Sequence, residues 1–131
     1  MMGIWRRAFQ PSCRGLFVDK GVLYAQRDVT EPAFRTLATD DERRAFLDPV
    51  AVPLQNARVF LDIEVGSRRP VEAPEGATVH CPAAAPRTKG DKFYTISVHT
   101  ESNDVFVGYP ASGGEARNVF RAIEKLVTSA R

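Results

Sequence analysis

The chain is poor in the residues that carry most protein chemistry. Its 131 residues include two cysteines, two histidines and one tryptophan. Cys13 and Cys81 alone cannot build the disulfide framework of a small secreted domain, so free thiols in a reducing compartment are expected. No window approaches the roughly 18 consecutive apolar residues that a membrane span needs. There is no C-x-x-C, H-E-x-x-H, P-loop or G-x-G-x-x-G pattern. The formal net charge of +2 is too small to argue for nucleic acid by itself. Lysine is scarce as well, with 4 lysines against 14 arginines. That bias suits bidentate contacts to carboxylate or phosphate, and it is equally the mark of a GC-rich genome. What remains is an ordinary globular composition, 44% hydrophobic and 26% charged, at a length that fits one domain.

The clearest pattern lies at residues 91–131. Tyr94, Ile96 and Val98 alternate with Thr95, Ser97 and His99, the period of a strand with one buried face. After a polar turn at Glu101-Ser102-Asn103-Asp104, Val105, Val107 and Tyr109 repeat that period. Ser112 and Glu115 stand at capping-box spacing and open a helix. Ala116, Val119, Phe120, Ile123 and Val127 give it an apolar face.

Upstream, Leu16-Phe17-Val18 and Val22-Leu23-Tyr24-Ala25 read as two short strands around Asp19-Lys20-Gly21, where Gly21 supplies a positive φ. Thr30 as N-cap and Pro32 in the first turn predict a helix start. Thr39 and Glu42 predict a second one, with Pro49 as its stop. Residues 57–65 form the best single strand pattern. Val59, Leu61, Ile63 and Val65 point one way; Arg58, Phe60, Asp62 and Glu64 point the other. Residues 66–91 are rich in Pro, Ala and Gly, with room for one short edge strand at Thr78-Val79-His80-Cys81.

Residues 1–18 carry Arg6, Arg7 and Arg14 and no acid, and Ile4, Trp5, Ala8 and Phe9 can share a helical face. That is the composition of a mitochondrial targeting segment; the plain alternative is an exposed basic arm in a cytoplasmic protein.

Few reactive side chains are available. His80, Cys81 and His99 could make a thiol nucleophile with its base, but adjacent positions and two histidines arise readily by chance. Asp62 and Glu64 are explained by alternation on a sheet surface. Ser112-Gly113-Gly114 reads as a cap and turn, since Glu115 would repel an anion there. No catalytic, cofactor-binding or metal-ligating residue is therefore expected. The feature without a folding reason is a basic stripe: Arg117, Arg121 and Lys125 fall at i, i+4 and i+8 on the last helix, where like charges cost helix stability. With Arg6, Arg7, Arg68 and Arg69 they form the candidate partner-binding set, and Arg87 and Lys89 lie in the same long loop as Arg68 and Arg69.

Val59-Phe60-Leu61-Asp62-Ile63-Glu64-Val65-Gly66 resembles the first strand of cyclophilins over these eight residues, but the arginine and aromatic motifs that should follow are absent. The order hairpin, helix, strands and terminal helix is similar to roadblock and longin-type modules, which are non-catalytic interaction platforms; the likeness is one of layout.

The expectation is a basic arm at 1–15 and one α+β domain at 16–131. Its two layers would be an antiparallel sheet of four or five strands (16–18, 22–25, 58–65, 93–99 and 105–109) and a C-terminal amphipathic helix at 113–129 on one face. The expected role is that of a small non-catalytic subunit or adaptor of a larger protein assembly. An RNA-contacting, ribosome-associated protein is the first alternative, and a small Cys/His enzyme or toxin-like domain the second.

Overall fold

The computed structural model describes residues 13–27, 29, 31–66, 71–82 and 92–131. These residues form eight strands and three helices in an α+β arrangement. The strands are β1 (Cys13–Arg14), β2 (Leu16–Asp19), β3 (Val22–Ala25), β4 (Val50–Ala51), β5 (Arg58–Val65), β6 (Thr78–His80), β7 (Lys92–His99) and β8 (Asp104–Pro110). The helices are α1 (Pro32–Arg35), α2 (Asp40–Leu47) and α3 (Gly113–Ser129).

The long strands match their periodicity. β7 sits between β5 and β8, antiparallel to both, with Leu61 opposite Ile96 and Val98 opposite Phe106. The outer side of β8 is shared by two short strands. β1 pairs antiparallel with its end, Cys13 opposite Pro110, and β6 pairs parallel with its start, Thr78 opposite Asp104. Thr78-Val79-His80 is thus the short edge strand expected there, and its parallel pairing departs from an all-antiparallel sheet.

The 16–25 hairpin does not join this sheet. β2, β3 and β4 make a second sheet of their own, so the expected single sheet is divided in two. The division falls at Gly15, between β1 and β2. Its φ is +96°, and a Cβ there would lie 2.6 Å from the Val107 carbonyl oxygen and 2.7 Å from Pro82 Cγ. Only glycine both takes that conformation and lets the chain pass so close to β8. The last residues of the expected arm, Cys13 and Arg14, belong to the sheet as β1. The β2–β3 turn follows its chemistry: Asp19 pairs with Val22 across Lys20 and Gly21, whose φ values are +50° and +77°. Positive φ at both central residues is the type I′ hairpin, whose twist suits the strands it joins.

One core serves both sheets. Leu16 and Leu23 from the small sheet and Val52 just after it meet Ile96, Val98 and Phe106 from the large one, with Ile123 and Val127 of α3 over them. The Ser112 hydroxyl accepts from the Glu115 amide at 3.2 Å, so α3 starts where its cap predicts. A second, smaller cluster lies on the far face of β8, where Val105, Val107 and Tyr109 are covered by Val71, Ala77 and Cys81. The described part of the long loop, residues 71–82, therefore covers that face. Helices α1 and α2 bury no residue. Thr39 caps α2, accepting from the Glu42 amide at 3.1 Å and donating to its carboxylate at 3.0 Å. Glu31, without a side-chain cap bond, is the N-cap of α1. Thr30, expected in that role, lies outside the described residues. No described helix is long and apolar enough to cross a membrane.

Candidate functional site

The amphipathic spacing that buries Ala116, Ile123 and Val127 of α3 leaves Arg117, Arg121 and Lys125 exposed on its outer side. The C-terminal half of α3 runs beside the start of β5, and a groove of about 640 Å³ separates them. Val59 and Val127 supply apolar wall. Arg58, Arg121, Lys125 and Arg131 supply four cationic side chains, against the one acidic side chain of Glu124. Among the described residues, none of these cations is paired with a carboxylate, whereas Arg43 and Arg44 of α2 sit at 2.8 and 2.6 Å from Asp40 and Asp41. Four cations against one acidic side chain, with no ion pair among them, are a standing cost that an acidic partner would relieve.

Phe60 is 42% exposed beside this groove. The Arg58 guanidinium stands 5.9 Å from its ring centre, and His99 meets it edge-on at 5.0 Å. Burial first, and then the Arg58 charge, push the His99 pKa below its ordinary value. His99 is therefore a neutral, half-buried wall at physiological pH, and adds no charge. Across the sheet from α3 a second groove of about 550 Å³ runs between Asp62, Glu64, Thr95, Ser97 and His99 and the chain at 71–74.

The reactive residues separate. His80 Nδ1 accepts from Arg27 Nη2 at 3.1 Å, so its Nε2–H donates to Asp104 Oδ1 at 3.0 Å. Its ring stacks on Phe106 at 4.5 Å. Both ring nitrogens are thus engaged, and Arg27, which also lies 4.7 Å over Phe46 of α2, ties that helix to the sheet. Neighbouring strand residues face opposite ways, and the Cys81 thiol indeed lies on the other side, 2.8 Å from the Tyr109 hydroxyl. His80 is not placed to act as base for Cys81, and His99 stands at the β5 side of the sheet. Neither cysteine is in a disulfide. Burial pushes the Cys13 thiol up to about 12, which keeps it protonated and inert. Among the described residues no group of three or more His, Cys, Asp or Glu could hold a metal ion.

Of the expected partner-binding set, Arg121 and Lys125 line the groove, and Arg117 lies on the same helical stripe. Arg6, Arg7, Arg68 and Arg69 lie outside the described residues, as do Arg87 and Lys89. Arg58 and Arg131 belong to the site and were missed. The signal for Arg58 was present, since it heads the wet face of the best strand, but nothing local says that α3 ends beside it.

Fold and site together define an α+β protein of two sheets whose last helix and outermost strand carry a basic groove. No known protein family, curated protein or solved structure matches the chain.

Proposed function

We propose that the chain is a non-catalytic protein-binding module, an adaptor or small subunit of a larger assembly, which takes an acidic surface of its partner on the outer stripe of α3. The observation that carries this reading is the group Arg121, Lys125 and Arg131, gathered beside apolar Val127 with no carboxylate paired to any of them among the described residues. Cations of this kind around an apolar wall suit a protein contact in which charge steers and apolar area holds. RNA would meet the same cations, but the groove offers one aromatic, Phe60, rather than a row for base stacking, and Glu124 stands among the arginines.

The test is affinity capture with the full chain followed by mass spectrometry, in parallel with the double variant Arg121→Glu/Lys125→Glu. The variant should lose its specific protein partners by about tenfold or more while keeping its fold, as expected for reversal of interface charges. An unchanged partner set would overturn the reading. Capture that disappears on ribonuclease treatment would replace it with the RNA alternative.

The compartment that goes with this proposal is mitochondrial, supported by the acid-free, arginine-bearing residues 1–18. A fluorescent protein carrying those residues should be imported. Retention in the cytoplasm would sink this part of the proposal alone.

A further inference from the structure

Among the described residues, β5 is the outermost strand of its sheet. β7 pairs with all of it on one side, in an unbroken register from Arg58 opposite His99 to Val65 opposite Lys92. On the other side, no described strand pairs with it. In an antiparallel ladder, alternate residues turn their N–H and C=O groups to one neighbour and the intervening residues turn theirs away. Half of β5 therefore turns donors and acceptors to a side where no described strand takes them. Proteins usually blunt such an edge with a proline, a bulge, lysines or a shortened strand. β5 has no proline, bulge or lysine: it reads Arg-Val-Phe-Leu-Asp-Ile-Glu-Val over 8 residues, and its charges, Arg58, Asp62 and Glu64, are of both signs, so they do not repel a second copy as a row of lysines would. It instead leaves Ile63 and Val65 56% and 73% exposed. An edge of that kind is built to be covered.

The strand is complementary to itself read backwards. Suppose two antiparallel copies are related by a twofold axis normal to the sheet. Opposed residues then share a face, so the axis must pass through a residue. With the axis at Leu61, Arg58 of each copy stands opposite Glu64 of the other. On the opposite face Val59 meets Ile63, and Leu61 meets its own mate; Phe60 lies against Asp62. With the axis at Asp62, that carboxylate would face itself and Arg58 would face Gly66. An axis at Phe60 also gives Arg58 an acid, Asp62, but pairs only residues 58–62, because β5 begins at Arg58. The Leu61 axis pairs residues 58–64. It also sets Ile63 against Val59, so that exposed apolar surface is covered by apolar surface.

We propose that the chain forms a homodimer by pairing β5 with β5 of a second copy in this register, which joins the two large sheets into one. The ladder supplies main-chain hydrogen bonds, and the two Arg58–Glu64 pairs select the alignment. The proposal does not depend on the acidic-partner reading, which rests on α3. Because a strand pair is a small interface, the dimer should dissociate on dilution.

Sedimentation of the purified full chain over a concentration series tests this. The mass should rise from 14.5 kDa towards twice that value. Arg58→Glu and Glu64→Arg should each weaken association by about tenfold or more, since each puts like charges opposite one another twice. The double variant Arg58→Glu/Glu64→Arg should restore it, with circular dichroism unchanged throughout. A monomer at every concentration, or single reversals that leave the dimer intact, would overturn the proposal. Rescue of Arg58→Glu by Asp62→Arg in place of Glu64→Arg would overturn the register in favour of one centred on Phe60.

Discussion

The outer edge of β8 is covered by β1 and β6, whereas the outer edge of β5, at the other side of the same sheet, has no described strand against it. The two strands are nearly equal in length and differ in composition. β8 is apolar on both faces: Val105, Val107 and Tyr109 on one and Phe106 and Pro110 on the other are all buried, with Gly108 between them. β5 alternates apolar residues with Arg58, Asp62 and Glu64. A strand apolar on both faces must be covered on both. Here α3 and the small sheet cover one face and the 71–82 chain the other, while β6 of that chain and β1 close its edge. A strand with one wet face attracts no second layer on that face, and no described strand takes its outer edge. Stability is therefore concentrated at β8 and association at β5.

Substitutions can break that division, beginning with the largest effect. Leu16 is fully buried where the chain leaves β1 for the small sheet. Leu16→Ala should cost about 2–5 kcal/mol, read by urea unfolding, because the surrounding strands cannot collapse into the space. A loss as small as that of a surface substitution would mean that the two sheets do not share a core. Gly108 comes next. A Cβ there would meet Cys13 Sγ at 2.9 Å and Leu16 Cβ at 3.0 Å. Gly108→Ala should cost about 1–3 kcal/mol by forcing β1 away from β8. Faster alkylation of Cys13 in that variant would show that the closed edge, and not some other part, had opened.

Asp104 gives a pH-dependent test of the same edge. The hydrogen bond from His80, and then that from Ser102, hold its carboxyl below the ordinary value. The unfolded chain returns it to about 3.9. The contribution is therefore complete above the unfolded value and is lost as pH falls through the lower, folded one. Asp104→Ala should be less stable by about 1–2 kcal/mol at neutral pH, and the gap from the parent should narrow below about pH 4. A gap that stays constant with pH would remove the carboxylate from the account.

The smallest effect on stability belongs to β5. Arg58→Glu should change unfolding free energy of the monomer by about 0.5 kcal/mol or less, as surface substitutions do, while its association is lost. A loss of stability comparable to that at β8 would erase the contrast between the edges.

Local signals located most elements because local physics forms them. The Lys20-Gly21 turn, the alternation of residues 58–65 and the Ser112 cap each act within a few residues, and each element lies where its signal places it. The candidate site was half legible in the same way. The stripe of Arg117, Arg121 and Lys125 follows from helical spacing alone. Its groove does not, because Arg58 reaches the helix only through the packing of β5 beneath α3. The His80 contacts were illegible for the same reason: Arg27, His80 and Asp104 are far apart in the chain, and no spacing rule connects them.

By itself the sequence determined the α+β class, the extent of the long strands and of α3, and the charge on its outer face. These follow from side-chain period, turn chemistry and capping, all of which act over a turn or two of chain. Only the tertiary structure decided which strands pair, that Gly15 divides them between two sheets, that β6 runs parallel to β8, and that β5 is the outermost of the described strands. Those choices are settled by the joint burial of surfaces from distant segments, a competition among whole arrangements that no single stretch of sequence records.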